Sequence, residues 1–299
     1  MESKNYNLIE KITNSFSSFS KGQKQIADFI INHYDKAAFM TAAKLGKEVN
    51  VSESTVVRFA YELGYDGYPK LQKALQEMIK TKLTPVQRLE VSSLRINEEN
   101  ILKSVLQSDM EKIKITMEEA DQESFNKIVE SILNAKKIYI LGVRSSAALA
   151  SFLGFYFNII FDNVRLVHTT SVSEMFEQII RAGEGDVVIG ISFPRYSKRT
   201  IKAMQFVKSQ GATTIAITDS KESPLAENAD LSIIARSDMA SFADSLVAPL
   251  SMINALIVAL GMRKKQEVQN TFERLEQIWD EYQVYEKYDN VDPGKKVDY

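Results

Sequence analysis

Hydrophobic and polar positions follow two different patterns along this chain, and the change falls just before residue 137. Up to that point, apolar residues recur at the three- and four-residue spacing of amphipathic helices. Beyond it, short apolar runs alternate with helix-length segments. The runs are 137–141, 164–167, 187–191, 213–217 and 231–234. Strands that alternate with helices form parallel sheets, so this part predicts a doubly wound, five-stranded α/β domain.

Residues 41–63 predict two short helices joined by a tight turn, with Thr41 and Ser52 in position to cap them. Asn50 is a residue type that tolerates the left-handed backbone of such a turn, and Gly46 is small enough for a close crossing of the two helices. This is the arrangement of a helix-turn-helix, which places its second helix in the major groove of DNA. A helical hairpin inside an ordinary bundle is the alternative for this stretch.

The second of these helices presents polar side chains that suit DNA. Ser54 and Thr55 have the reach for base edges or phosphates, and Arg58 for a guanine or a phosphate. With the capping Ser52, they form the predicted DNA-contacting set. Net charge adds little, because the first 80 residues hold 11 Lys and Arg against 9 Asp and Glu. DNA binding is therefore inferred from the motif.

Two polar loops that follow predicted strands form the candidate ligand site. One is GVRSS from Gly142, and the other is FPRYSKRT from Phe193. A polar, cationic loop between a buried strand and a helix is the usual place for an anionic ligand in an open α/β sheet. The predicted binding residues are Arg144, Ser145, Ser146, Ser192, Arg195, Ser197 and Thr200. A further hydroxyl, on Ser171, either caps the helix that follows the second strand or joins the same pocket.

Composition narrows the classes of function. The chain has 299 residues, enough for two domains, and its 44% hydrophobic and 25% charged residues are typical of a soluble globular protein. No apolar run reaches about 18 residues and the first residues lack a signal peptide's apolar segment, so a cytoplasmic protein with no membrane span is expected. With no cysteine and only two histidines, neither a disulfide nor a metal site is predicted, and no cofactor either.

The same patterns predict four parts. These are a helix-turn-helix domain over 1–82, a helical linker over 83–120, the sheet domain with a C-terminal helix over 121–285, and a flexible tail over 286–299. Two long helices are expected after the fifth strand, over 241–262 with Ser241 as a suitable cap, and over 266–285.

An amphipathic helix is also predicted over 98–119, with Ile101, Val105, Ile113 and Met117 on one face. A second amphipathic helix is predicted over 122–134, and the two helices either cover the sheet domain or pair between subunits.

These pieces, in this order, resemble the RpiR family of bacterial transcriptional regulators, which join an N-terminal helix-turn-helix to a C-terminal sugar isomerase (SIS) domain. The matching stretches are SKGQKQIADFI from Ser20, TAAKLGKEVNVSESTVVRFAYELGYDGYPKLQKAL from Thr41, ILGVRSSAALA from Ile140, VIGISFPRYSKRTIKA from Val188 and SFADSLVAPLSMINALIVAL from Ser241. The resemblance implies a flavodoxin-like sheet, a sugar-phosphate effector, a double-stranded, palindromic DNA operator as partner, a homodimer or tetramer, and no catalysis.

In SIS domains, hydroxyls of two such loops hold the phosphate of a sugar phosphate. By position, Ser146 matches the serine of the first loop, Ser192 the first serine of the second, and Ser197 the threonine that follows its glycine. The chain departs from the family pattern at Arg144 and Arg195, which replace glycines. Two arginines facing one pocket suit an effector that also bears a carboxylate, such as N-acetylmuramate 6-phosphate. The alternative is that one of them turns outward or pairs with an acid across a dimer interface.

Two other classes of function are weaker. A sugar-phosphate isomerase needs a base near the substrate carbon, and Glu174 and His168 are the candidates, neither with a partner in the sequence. A nucleotide-binding protein is suggested by Gly142 after a strand, but no G-x-G-x-x-G is present and Arg144 occupies the second glycine position.

Overall fold

The computed structural model describes residues 8–82, 84, 86–89, 100–168, 171–237 and 243–285. Within them, a helical unit precedes a five-stranded α/β unit, as the sequence predicts. The predicted tail over 286–299, the proposed cap Ser241 and most of the predicted linker before residue 100 lie outside the described residues.

Residues 8–82 form the helical unit, called the head below. Its helices are α1 Leu8–Ser15, α2 Lys21–Asn32, α3 Tyr34–Ala37, α4 Ala42–Glu48, α5 Glu53–Glu62 and α6 Tyr68–Lys82. Their apolar faces share one core, in which Ile26, Leu45, Phe59 and Leu71 are fully buried. These side chains recur along their helices at the spacing that predicts amphipathic helices from the sequence.

Side-chain caps start three of these helices, two of them at the predicted residues Thr41 and Ser52. Ser20 and Gln23 form a reciprocal capping box at α2. At α4, Thr41 Oγ1 accepts a hydrogen bond from the amide three residues on (3.2 Å), and Ser52 Oγ does the same at α5 (3.2 Å). Each cap satisfies an amide that has no partner inside its helix, a contribution of about 1 kcal/mol.

The turn between α4 and α5 confirms the two backbone predictions made for it. Asn50 has a φ of 56°, in the left-handed region. The amide of Val51 donates to the carbonyl oxygen of Gly46 at 2.8 Å, and a Cβ added at Gly46 would lie 2.8 Å from the carbonyl oxygen of Val51. Helix α4 therefore approaches the turn before α5 at a distance that only glycine permits.

We expect Gly46→Ala to destabilise the head by about 1–3 kcal/mol, because the new Cβ overlaps backbone that has no room to move. The measurement is the midpoint of urea unfolding followed by far-UV circular dichroism. Gly261→Ala is the matched control: nothing lies within 4 Å of a Cβ built there, inside the helix Val247–Arg263. It should leave stability unchanged or raise it by up to about 1 kcal/mol. Equal midpoints for the two variants would contradict the close crossing.

The second unit is a parallel sheet in the strand order β2-β1-β3-β4-β5. Its strands are β1 Ile138–Gly142, β2 Val164–Val167, β3 Val187–Ile191, β4 Thr213–Thr218 and β5 Leu231–Ile234. This is the flavodoxin-like order, in which the chain changes direction across the sheet between β1 and β3. The ladder between these strands runs from Ile138–Val187 to Gly142–Ile191, so the loops that leave them lie side by side.

Helices cover both faces of the sheet. In chain order they are α7 Ile101–Glu119, α8 Gln122–Leu133, α9 Ser146–Ile160, α10 Val172–Ile179, α11 Lys198–Ser209, α12 Val247–Arg263 and α13 Lys265–Glu281. Side chains of α8, α9 and α12 pack on one face, and those of α10 and α11 on the other. Every residue of β1 and β3 is buried, which explains why these strands read as unbroken apolar runs.

The helix predicted over 241–262 begins later than expected, at Val247 with Leu246 at the N-cap position. Polar side chains just before it bind other parts of the chain instead of capping a helix. Asp244 Oδ1 accepts from Arg88 Nη1 (2.6 Å), and Ser245 Oγ donates to Asp109 Oδ1 (2.6 Å). No single helix among the described residues is long and apolar enough to cross a membrane; α12 and α13 reach that measure only as a pair bent by 96°.

The apolar face predicted for α7 is turned largely to solvent. Ile101, Ile113 and Met117 are 50%, 40% and 70% exposed. The side that packs is polar: Thr116 is buried, and its Oγ1 accepts from the amide of Arg236 at 2.9 Å. α7 therefore contacts the sheet domain through this polar side and α8 packs on the sheet, while pairing of the apolar face between subunits stays a prediction.

Candidate functional site

The loops after β1 and β3 line one cleft of about 990 Å³ at the carboxyl edge of the sheet, at the point where the strand order reverses. We call it the sheet cleft. Six of the predicted binding residues line it, namely Arg144, Ser145, Ser146, Ser192, Arg195 and Ser197. Thr200 and Ser171 are not among its lining residues. Thr200 is fully buried in the first turn of α11, and Ser171 stands at the N-cap position of α10 with its Oγ 2.9 Å from Ser173 Oγ.

The first loop brings the end of β1 into contact with the start of α9. A Cβ added at Gly142 would lie 2.6 Å from the carbonyl oxygen of Ser146, so this glycine permits the contact. Arg144 has a φ of 58°, in the left-handed region that favours glycine, and its side chain is exposed. The loop thus keeps a backbone shape suited to glycine while it adds a guanidinium to the cleft.

The second loop is held by its own hydroxyls. Ser192 Oγ accepts a hydrogen bond from the amide of Ser197 at 3.0 Å. Ser197 Oγ in turn accepts from the amide of Thr200 at 3.2 Å and caps α11. These bonds fix the ends of the loop, and Arg195 between them is exposed at the cleft.

A hydrogen-bonded pair, Tyr196 and the buried Asp219, anchors the same loop, and sequence reasoning did not assign it to the site. Tyr196 Oη donates to Asp219 Oδ1 at 2.9 Å, and Asp219, next to the end of β4, is 2% exposed. Burial raises the pKa of the Tyr196 phenol, and the charge and hydrogen bond of Asp219, then the more distant charge of Glu77, raise it further. Tyr196 therefore remains a protonated donor at neutral pH and ties the Arg195 loop to β4.

The sheet cleft is strongly basic. Among the described residues, five basic side chains and one carboxylate line it, belonging to Arg88, Arg144, Arg195, Lys198, Arg199 and Asp244. Such a cleft concentrates anions. Lys198 and Arg199 are neighbours of the predicted residues, whereas Arg88 and Asp244 carry no local signal because they are 156 residues apart in the sequence.

A second cleft, of about 570 Å³, lies on the head between the N-termini of α2 and α5. We call it the head cleft. Its lining residues are Ser20, Lys21, Gly22, Gln23, Gln25, Asn50, Val51, Ser52, Thr55 and Arg58. A Cβ at Gly22 would meet side-chain carbons of Val51 and Thr55 at 3.3 and 3.4 Å, so the two helix starts are close together.

Three of the predicted DNA-contacting residues, Ser52, Thr55 and Arg58, line the head cleft, and the fourth, Ser54, is exposed beside it. Ser52 Oγ lies 2.9 Å from Ser54 Oγ and 2.8 Å from Thr55 Oγ1, and Arg58 Nε donates to the carbonyl oxygen of Ser54 at 3.4 Å. The charged residues that line the head cleft are Lys21 and Arg58, both of them basic. Helix N-termini and basic groups together suit a phosphate.

Comparison with known proteins matches both units. The profile of the helix-turn-helix domain of the rpiR family matches residues 6–82, and that of the SIS domain matches residues 131–259. The transcriptional regulator HexR of Escherichia coli (strain K12) is 27% identical over 282 residues, which cover 91% of this chain and 93% of that protein. An uncharacterised helix-turn-helix regulator of Caldanaerobacter subterraneus subsp. tengcongensis is 26% identical over 270 residues, 88% of this chain and 93% of that one.

Solved structures share the fold. The sugar isomerase domain of an RpiR transcription factor from Sphaerobacter thermophilus superposes with a TM-score of 0.56 at 24% identity, over 60% of this chain and 99% of that one. The Vibrio vulnificus NanR protein complexed with ManNAc-6P does so with a TM-score of 0.54 at 22% identity, over 91% of this chain and 98% of that one. The two family profiles together cover more than half of the sequence. The chain therefore belongs to the RpiR family of helix-turn-helix transcriptional regulators with a SIS domain.

Proposed function

We propose that this regulator binds a sugar phosphate in the sheet cleft and that binding changes the affinity of the head for its operator. The observation that carries the proposal is the basic, hydroxyl-lined cleft at the switch point of the sheet, in the same chain as a helix-turn-helix. NanR of Vibrio vulnificus, which shares the fold, is complexed with ManNAc-6P, and this supports a phosphosugar as the class of effector. A regulator of bacterial transcription works beside the chromosome, so a cytoplasmic location is part of the proposal.

The phosphate group would lie against the hydroxyls of Ser146 and Ser192. Ser146 is in the first turn of α9 and 5% exposed, and Ser192 is 3% exposed at the end of β3. Side chains so placed bind a ligand that enters the cleft, and the amides at the start of α9 favour negative charge there. Ser145 and Ser197 stand next to these two hydroxyls and complete the predicted phosphate seat.

The effector would bear a second anionic group. Arg144 and Arg195 come from different loops, and both line the sheet cleft. A guanidinium binds a carboxylate or phosphate through two parallel hydrogen bonds. A single phosphate monoester that hydroxyls already hold does not require two guanidinium groups, so the second one is available for another anionic group. A phosphosugar with a carboxylate, such as N-acetylmuramate 6-phosphate, matches this arrangement.

The regulator would act as a homodimer or as a tetramer built from dimers. The exposed apolar side chains of α7 follow a helical stripe, Leu102, Leu106, Met110, Ile113 and Met117, and each is at least 40% exposed. Further large apolar side chains, among them Phe155 on α9 and Met262 on α12, are also exposed. Contiguous exposed apolar surface of this kind marks an interface, and a two-fold dimer would pair two heads with a palindromic operator.

A role as an isomerase is disfavoured by the residues around the sheet cleft. Of the described residues that line it, Asp244 is the sole carboxylate, and it accepts a hydrogen bond from Arg88. Neither His168 nor Glu174 belongs to that lining. A general base has to reach the proton that it removes, so we infer that the chain binds its sugar phosphate without turning it over.

A thermal-shift panel tests the proposed function. The panel holds inorganic phosphate, glucosamine 6-phosphate, N-acetylmannosamine 6-phosphate and N-acetylmuramate 6-phosphate. A ligand at 100 times its Kd stabilises the folded state by about 2.7 kcal/mol, or roughly 5–10 °C in Tm for a domain of this size. We expect such a shift with at least one phosphosugar and the largest with the carboxylate. No shift with any phosphosugar would contradict the sensor, and conversion of a phosphosugar by the purified protein would contradict the absence of catalysis.

A further inference from the structure

One wall of the sheet cleft comes from the chain that leads out of the head. Arg88 lies in a short helical segment, 86–89, is 5% exposed, and follows Lys82, the last residue of α6, by six residues. Six residues of chain span at most about 20 Å. Helix α6 also lies within electrostatic reach of the cleft, since the charge of Glu77 contributes to the raised pKa of Tyr196. Arg88 is thus close, both along the chain and in space, to α6, the helix that ends the head.

One partner of Arg88 belongs to the sheet domain. Arg88 Nη1 donates to Asp244 Oδ1 at 2.6 Å, and the side chain of Asp244 is 18% exposed. The residue after Asp244 is fixed on both sides: Ser245 Oγ donates to Asp109 Oδ1 on α7 (2.6 Å), and the carbonyl oxygen of Ser245 accepts from Ser237 Oγ (3.0 Å). Asp244 is therefore a fixed acceptor, and Arg88 is the member of the pair that is connected to the head.

We propose that the ion pair between Arg88 and Asp244 is the switch through which the sheet cleft controls the head, with the anionic effector replacing Asp244 as the partner of Arg88. This inference rests on the proposed function, since it requires an anion in the cleft. A buried ion pair separates only where each charge is satisfied again, and the Asp244 side chain, 18% exposed at the cleft, is open to water. The phosphate or carboxylate of the effector offers Arg88 two acceptor oxygens, where this pair uses one.

The two members of the pair have opposite effects on an entering anion. Arg88 attracts the anion, and Asp244 both repels it and competes with it for the guanidinium. Loss of Arg88 should therefore weaken effector binding, and loss of the charge on Asp244 should strengthen it. A pair that only stabilised the fold would not produce effects of opposite sign.

The experiment measures effector affinity and operator affinity for wild type, Arg88→Ala, Arg88→Lys and Asp244→Asn. The effector probe is the phosphosugar of the panel that shifts the wild-type Tm most. We expect Arg88→Ala to weaken its binding about tenfold or more, Arg88→Lys to weaken it less, and Asp244→Asn to tighten it about five- to tenfold. Without effector, Asp244→Asn should move operator affinity in the same direction as the effector moves that of the wild type, because both release Arg88 from Asp244.

Asp109→Asn is the matched control, because it loosens Ser245 next to Asp244 without changing a residue of the cleft. It should leave effector affinity within about twofold of wild type. The inference is overturned if Asp244→Asn binds the effector no more tightly than wild type, or if its operator affinity without effector is unchanged. Melting curves without ligand identify a variant that does not fold. A wild type that binds no phosphosugar is a different outcome, since it removes the proposed function itself.

Discussion

Replacing both Arg144 and Arg195 by alanine is expected to lower the affinity for a carboxylate-bearing phosphosugar by about 100- to 20,000-fold. Both side chains line the same cleft and are exposed to a ligand that enters it. A hydrogen bond to a charged group contributes about 1.5–3 kcal/mol, which corresponds to about 10- to 150-fold for each arginine. Isothermal titration calorimetry with N-acetylmuramate 6-phosphate measures the change, and Arg181→Ala, an exposed arginine outside the cleft, is the control.

Arg144→Gly separates the charge of this residue from the shape of its backbone. Because Arg144 has a φ of 58°, glycine relieves about 1–2 kcal/mol of strain, so the free protein should become more stable. Its affinity for the carboxylate-bearing ligand should nevertheless fall about tenfold or more. Misfolding would lower stability, so it cannot explain a variant that binds the ligand more weakly and is more stable. If both single alanine variants bind this ligand as the wild type does, the two-arginine site is wrong.

Arg58→Ala is expected to weaken operator binding by about 1–3 kcal/mol for each head, and therefore by twice that in a dimer that uses both heads. Arg58 lines the head cleft, where Lys21 is the other charged side chain among the described lining residues. The measurement is a fluorescence titration on a palindromic duplex that the wild-type protein selects from a random pool. The stoichiometry of the same titration, two chains per duplex, tests the dimer.

The salt dependence of the Arg58→Ala titration separates two roles of the arginine. Loss of a phosphate contact lowers the slope of log K against log salt by about 1 per head and weakens all sequences alike. Loss of a contact to guanine relaxes specificity at one position of each half-site instead. Lys36→Ala, on α3 and outside the head cleft, is the control and should leave binding unchanged. Operator affinity equal to wild type in Arg58→Ala would contradict the predicted reading face.

The prediction of the head from sequence succeeded because its signals are local. A cap such as Ser52 acts on an amide three residues away, and the requirement for glycine at Gly46 comes from a carbonyl five residues on. The buried strands could be predicted for a related reason. Helices cover both faces of the sheet, so every residue of β1 and β3 is buried and the two strands form unbroken apolar runs. The order of strands and helices then placed two polar loops at one edge, and both loops do line one cleft.

The features that the local sequence pattern does not predict depend on contacts between residues that are far apart in the chain. Arg88 and Asp244 are 156 residues apart, and nothing near either one indicates the other. The helix predicted from Ser241 begins only at Val247, because Asp244 and Ser245 bind Arg88 and Asp109, and no helical periodicity records such partners. Amphipathic spacing identified an apolar face on α7 but not its direction. That direction depends on the polar contact of Thr116 with the backbone of Arg236, which exists only when the chain is folded.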